Sequence, residues 1–297
     1  MTAEQIWTIA AALDWTVTYL RERGDEHARL SAEWLLSAAT GLSRVELYAY
    51  HDRPLTADER AALREGVKRR AAGEPLQYVT GEVAFRHLIL KVRPGVLIPR
   101  PETEVLVDVG LSAIDAAIAA RGNAVAIDLC TGSGCIALAI AQERPKARVV
   151  ATDISPLAVT VATENAGRLE LTDRVDVREG DLSSPVPEEL LGGIDLLISN
   201  PPYVPSAEVP DLPAEVAGFE PHLALDGGAD GLDVYRRILE EARRWLVPGE
   251  GIIAVELDER RVQQAAAEAV QWYEDVRVVV DLSGRERIVT AQLANRL

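Results

Sequence analysis

The chain carries Asn200-Pro201-Pro202-Tyr203 directly after the apolar run Ile194-Asp195-Leu196-Leu197-Ile198-Ser199. That placement sets a carboxamide, two ring-locked residues and an aromatic where a buried strand ends. These residue types suit methyl transfer to a planar nitrogen. Such a nitrogen, in a carboxamide or an exocyclic base amine, delocalises its lone pair and is a poor nucleophile until rigid acceptors reorient it. The Asn200 side-chain oxygen and the Pro201 backbone carbonyl can each accept one N–H, steering the lone pair toward an electrophilic methyl group. The prolines restrict the backbone that presents those acceptors, and the Tyr203 ring can lie on a flat substrate group. Taken by itself the tetrapeptide is a Pro-rich turn; the other strand ends give it a chemical meaning.

The turn Cys130-Thr131-Gly132-Ser133-Gly134 joins a strand at Ala124 to Leu129 to a helix at Ile136 to Gln142. Gly132-x-Gly134-x-x-Ala137, with Asp153 nineteen residues beyond Gly134, satisfies the dinucleotide fingerprint, so an NAD-dependent oxidoreductase is one reading. S-adenosylmethionine is the other. Asp128, inside the strand end, would repel a pyrophosphate but suits an ammonium group. Asp153 can take ribose hydroxyls, and Asp181 can accept from an adenine amino group. Asp128, Asp153, Asp181 and Asn200 all fall at the carboxyl ends of successive strands, where open parallel sheets bind ligands. That ordered set favours the methyl donor.

The elements that must position these groups follow from the hydrophobic period. Residues 1 to about 75 read as a small helical bundle: Ile6, Ile9, Leu13, Val17 and Leu20 recur at helical spacing, Ala32 to Leu36 belong to a second helix, and Thr56-Ala57-Asp58-Glu59 is a capping box. Trp7, Trp15 and Trp34 read as core or interface anchors. Residues 76–98 change period, with strands at Leu76 to Thr80 and Phe85 to Val92 expected to form a hairpin linker. Residues 99–297 form the catalytic domain, entered through the segment Leu97 to Glu104 and a helix over about 102–120. Strand and helix then alternate, as in a mostly parallel sheet. The strands are Ala147 to Thr152, Arg174 to Arg178, Ile194 to Ser199 and Gly251 to Glu256. Ser155 caps a helix with Pro156 at its first position and Gly167 closing it; further helices span about 231–246 and 259–271. Val276 to Leu282 and Glu286 to Leu293 make an antiparallel edge pair.

The 297 residues are 48% hydrophobic and 26% charged, a globular composition long enough for two domains. No run approaches the ~18–20 apolar residues that span a bilayer, and the N-terminus, with Glu4 and Asp14, has no cationic leader, so a cytoplasmic location is expected. Cys130 and Cys135 have neither metal-ligand nor disulfide spacing, and no metal is expected. Residues 1–90 hold 11 Lys/Arg against 13 Asp/Glu, and residues 91–297 hold 20 against 34. The catalytic part therefore lacks the basic footprint of a nucleic-acid enzyme, and Lys68-Arg69-Arg70 reads as a solvated helix face.

On the segments Glu74 to Gly81, Leu97 to Glu104, Asp128 to Gly134, Asn200 to Tyr203, Glu220-Pro221 to Leu232 and Gly284 to Arg287, the chain resembles the HemK/PrmC family of protein-(glutamine-N5) methyltransferases over nearly its whole length. The resemblance implies a Rossmann-like, seven-stranded S-adenosylmethionine-dependent methyltransferase domain behind a helical substrate-recognition domain. It implies transfer to the glutamine of the Gly-Gly-Gln motif of peptide chain release factors, leaving S-adenosylhomocysteine. Cys130, Thr131, Gly132, Ser133 and Gly134 would cradle the methionine part of the cofactor, Asp153 would bind ribose, and Asp181 would lie near adenine. Asn200 would join the cofactor and substrate sites, with Pro201, Pro202 and Tyr203 completing the substrate pocket. Arg86, His87 and Asp258 depart from the family's usual residues, and His222 reads as a surface or packing histidine. Methylation of a base amine in rRNA or DNA shares the tetrapeptide and is the alternative.

Overall fold

A computed structural model describes residues 6–295, and the chain divides into two compact units, Met1–Glu82 and Val83–Leu297. The described residues of the first are mainly helical. Helix α1 (Ile9–Arg21) begins where the Thr8 hydroxyl accepts the Ala11 N–H at 3.2 Å. Ile9, Leu13, Val17 and Leu20 are buried, whereas Ile6 lies ahead of the cap and is exposed; residues 1–5 of the expected helical segment lie outside the described residues. Helices α2 (Ala28–Thr40) and α3 (Arg44–Ala49) follow, and α4 (Ala57–Ala71) starts with the expected capping box between Thr56 and Glu59. Their apolar stripes form one core with Leu35, Leu36, Leu47, Leu63 and Val67.

Two expectations fail in this unit, and a third is narrowed, since Trp15 and Trp34 are not core residues. Arg69 and Arg70 are not a solvated face: Arg69 donates to Glu74 and to the Tyr78 carbonyl, and Arg70 reaches Asp25 at 2.9 Å, tying the end of α4 to the α1–α2 loop. Trp15 and Trp34 are exposed, with Trp15 stacked on Tyr19 at the surface. Leu76 to Thr80 is a helical turn, α5, not a strand. Its β-branched residues favour extension, but Pro75 and a left-handed Gly81 bracket one turn, and Thr80 Oγ1 satisfies the Leu76 carbonyl at 3.1 Å.

The expected boundaries at 75 and 98 are replaced by one at 82/83. The hairpin, β1 (Glu82–Phe85) and β2 (Leu88–Lys91), therefore sits with the second unit from Val83 onward. Side-chain ties account for this. Asn165 exchanges two hydrogen bonds with the Lys91 backbone, at 2.8 and 3.0 Å. Arg86, at the hairpin turn with φ of 51°, donates to Glu143 at 2.6 Å and to the Glu104 carbonyl at 2.9 Å, and pairs with Asp108 at 2.8 Å. Arg86 is thus an internal strut.

The second unit continues with α6 (Thr103–Arg121), β3 (Ala124–Leu129), α7 (Cys135–Glu143), β4 (Ala147–Asp153), α8 (Pro156–Arg168) and β5 (Val175–Glu179). It closes with β6 (Leu196–Ser199), α9 (Ala214–Phe219), α10 (Asp233–Trp245), β7 (Ile252–Glu256), α11 (Val262–Ala269), β8 (Tyr273–Val280) and β9 (Glu286–Leu293). Ser155 caps α8 as expected, but Gly167 lies inside that helix; the left-handed step falls at Glu170, with φ of 57°. The sheet order is β5-β4-β3-β6-β7-β9-β8, parallel except for β9, which runs antiparallel to both of its neighbours. Residues alternate between the sheet's faces: Ala126, Leu196 and Ile198 pack under α6 and α7, while Ile127, Leu129 and Leu197 pack under α10 and α11. From β3 the chain builds outward through β4 and β5, then crosses back to place β6 on the other side of β3. That reversal is the crevice where such sheets take ligands.

Candidate active site

Register brings the strand ends together. Leu129 pairs with Thr152 on one side and Ser199 on the other, so Cys130, Asp153 and Asn200 emerge side by side. Ser199 Oγ donates to the Leu129 carbonyl at 2.7 Å, the Thr131 N–H reaches the Thr152 carbonyl at 3.0 Å, and the Gly180 N–H reaches the Asp153 carbonyl at 2.9 Å. The loops leaving four strands are pinned to one another at the start.

Two cavities open over these ends. One is walled by Cys130, Thr131, Gly132, Ser133, Asp153, Asp181 and Pro202; the other by Pro201, Tyr203, Val204, Leu212 and Val216. Leu97, Arg100, Asn200 and Ala224 line both, so the cavities adjoin at Asn200 and its neighbours. Pro202 lines the first cavity and not the second, where the sequence placed it.

The glycine turn holds its shape through carboxylates. Asp153 accepts the Gly132 N–H at 2.8 Å and the Ser155 N–H at 2.9 Å. Burial pushes its carboxyl up, and those N–H groups pull it back. Gly132 has φ of 57° and nothing within 4 Å of where a Cβ would stand, so its backbone lies open to a ligand. Gly134 does different work. Its absent Cβ would stand 3.2 Å from Ala162, so it lets the start of α7 close on α8, behind the cavity wall. Asp128 is also behind the wall: it is fully buried, one oxygen accepts from Thr131 Oγ1 at 2.6 Å and Ala137 N–H at 3.2 Å, and the other has no partner. Cys130 takes φ of 59°, and burial pushes both cysteine thiols up, which keeps them protonated.

Burial also pushes Asp128 up to about 7, and Glu256, at the end of β7, to about 7. Both folded-state values exceed the ordinary carboxylate range. The neutral forms are therefore favoured, and their contribution to stability is full at acid pH and fades as pH rises through about 7. Urea midpoints of the ligand-free protein are expected to fall between about pH 5 and 8. Asp128→Asn should flatten that slope, and an unchanged slope would refute the assignment.

The partners that several site residues take here had no sequence signal. Arg100 donates to both oxygens of Glu220, at 2.8 and 2.7 Å, closing the boundary between the cavities. Arg237, from α10, pairs with half-exposed Asp181 at 2.8 Å and so occupies part of the expected adenine acceptor. Asn200 Nδ2 donates to Thr103 Oγ1 at 3.0 Å. His222 is exposed, 3.8 Å from Asp226. The segment 227–231 packs backbone to backbone on Pro202 and Tyr203, where a Cβ on Gly231 would lie 2.4 Å from the Tyr203 carbonyl oxygen. Arg100 and the 227–231 segment were visible only as parts of shared motifs.

No helix of the described residues is long and apolar enough to cross a membrane, and none of their His, Cys, Asp and Glu side chains cluster in a group able to hold a metal ion.

Residues 11–81 match the family model for the PrmC N-terminal domain, and residues 103–213 match the methyltransferase small domain. The fold is similar to that of the hMettl16 catalytic domain, solved in complex with MAT2A 3'UTR hairpin 6: TM-score 0.53 at 15% identity, covering 78% of this chain and 83% of that one. Similarity to curated proteins is far higher. The release factor glutamine methyltransferase of Geobacter sulfurreducens is 48% identical over 85% of both chains. That of Moorella thermoacetica is 44% identical over 96% of this chain and 98% of its own. At that identity over most of both chains, with the N-terminal family model matched as well, the chain belongs to the release factor glutamine methyltransferase family.

Proposed function

We propose that this protein transfers the methyl group of S-adenosylmethionine to the side-chain amide nitrogen of the glutamine in the Gly-Gly-Gln motif of peptide chain release factors, tuning translation termination. The observation that carries it is the position of Asn200 at the junction of two cavities, with its Nδ2 committed to Thr103. With its nitrogen engaged there, Oδ1 remains the carboxamide's acceptor for an incoming N–H.

The first cavity suits the cofactor: Gly132 leaves backbone open, and Asp153 and Asp181 offer acceptors for ribose and adenine. Thr131 and Ser133 line the methionine end, and Asp128 holds that turn from behind. When bound, S-adenosylmethionine supplies an electrophilic methyl on a sulfonium and leaves as S-adenosylhomocysteine. Asn200 Oδ1 and the Pro201 carbonyl take the two amide protons of the acceptor, and Tyr203 covers its flat face. An alkylated amide sheds its proton readily, so a strong base is unnecessary and positioning carries the rate. The net charge of −14 over residues 91–297 supports a protein acceptor over a polyanionic one.

Labelled S-adenosylmethionine should mark a purified bacterial release factor, leave unmarked the same factor with its Gly-Gly-Gln glutamine changed to alanine, and spare ribosomal RNA and DNA. Label on nucleic acid with the factor untouched would transfer the same pocket to a base amine.

A further inference from the structure

Glu256 is the buried ionisable group that the reaction above leaves without a task. It ends β7, is 1% exposed, and one carboxyl oxygen has no hydrogen-bond partner. Neighbouring strands place it beside the acceptor site. Ser199 on β6 pairs with Val255 on β7, so the next residues along, Asn200 and Glu256, leave the sheet together. Between them stands Thr103, the first residue of α6, also 1% exposed. Its hydroxyl accepts from Asn200 Nδ2 at 3.0 Å and faces the Glu256 carboxyl.

A hydroxyl has one proton and two lone pairs. If Thr103 spends its proton on Glu256, its oxygen can only accept from Asn200. The carboxamide then has a single orientation, with the NH2 toward α6 and Oδ1 toward the acceptor. A flipped Asn200 would set its own N–H groups against those of the incoming amide, donor against donor. We infer that Glu256 and Thr103 are positioning residues that lock the Asn200 carboxamide in the acceptor-facing orientation, giving the site its selectivity for a nitrogen that carries protons. This deepens the methyl-transfer reading and rests on it. The pair also accounts for a buried carboxyl with one oxygen unpartnered, which costs stability unless something uses it.

Three variants and two readouts test it. Thr103→Val keeps the shape and removes the hydroxyl; Thr103→Ser restores the hydroxyl; Glu256→Gln adds a competing donor. With the release factor as substrate, Thr103→Val should lose about tenfold or more in kcat, the scale of one lost hydrogen bond in a preorganised site. Its affinity for S-adenosylhomocysteine should stay within about twofold. Thr103→Ser should recover most of the rate, and Glu256→Gln should fall between. The second readout needs no substrate: by nitrogen-15 NMR, one Asn200 side-chain amide proton should exchange slowly in the wild type and lose that protection in Thr103→Val. A Thr103→Val enzyme with normal kcat, a Thr103→Ser enzyme as slow as the valine variant, or an unprotected wild-type amide would each overturn the inference. A wild type that ignores the release factor yet protects the amide would instead sink the substrate assignment and leave the lock standing.

Discussion

Asn200→Ala is expected to cut methyl transfer to the release factor by about 10²-fold or more, some 2.7 kcal/mol of transition-state stabilisation. The loss should fall on kcat. Asn200 lines both cavities, and its Oδ1 is one of two acceptors proposed to orient the nucleophile. Binding of S-adenosylhomocysteine by calorimetry should change little. A variant that turns over at near the normal rate would remove Asn200 from the chemistry and leave Pro201 alone to orient the amide.

The second large effect is structural in origin. Gly231→Ala must place a Cβ in a left-handed conformation, φ of 82°, and 2.4 Å from the Tyr203 carbonyl oxygen. Left-handed backbone costs a non-glycine residue roughly 1–2 kcal/mol, and forcing extra volume against packed backbone adds roughly 1–3. Gly284→Ala is the matched control: its φ is 80° but nothing lies within 4 Å of the new atom. It should cost only the conformational part. Thermal melting should therefore show a clearly larger drop for Gly231→Ala, with methyl transfer falling further because Tyr203 is displaced. Equal melting temperatures in the two variants would show that the loop yields, and that the contact does not fix the motif.

What the sequence revealed, and what it concealed, follows the range of the forces involved. The strand from Ala124 to Leu129, the glycine turn and the Ser155 cap are local signals of period, conformation and capping, and they stand where expected. The order of acidic groups along the strand ends was legible for the same reason. Leu76 to Thr80 misled because two punctuating residues outweighed β-propensity over so short a stretch. The partners of the site's charges were invisible. Arg100 and Glu220 are separated by 120 residues and Arg237 and Asp181 by 56, so only the completed crossover brings them together. Asp128 shows a further limit: its place at the strand end was plain, but whether it faced the cavity or the turn depended on which side of the sheet α7 covered.

The reversal of strand order at β3 also makes this enzyme divisible. On one side, β4 and β5 lead to the residues proposed to hold the methyl donor; on the other, β6 and β7 end in Asn200 and Glu256 and lead to the acceptor walls. The two cavities share Leu97, Arg100, Asn200 and Ala224, and Pro202 and Arg237 reach across to the donor side, but Leu212 and Val216 line the acceptor cavity alone. Substitutions that reshape the acceptor wall, such as those at Leu212 or Val216, can therefore accumulate without loosening the grip on the donor. One sheet can serve a common currency on its left hand while its right hand is re-tailored to whatever planar amide a lineage needs marked.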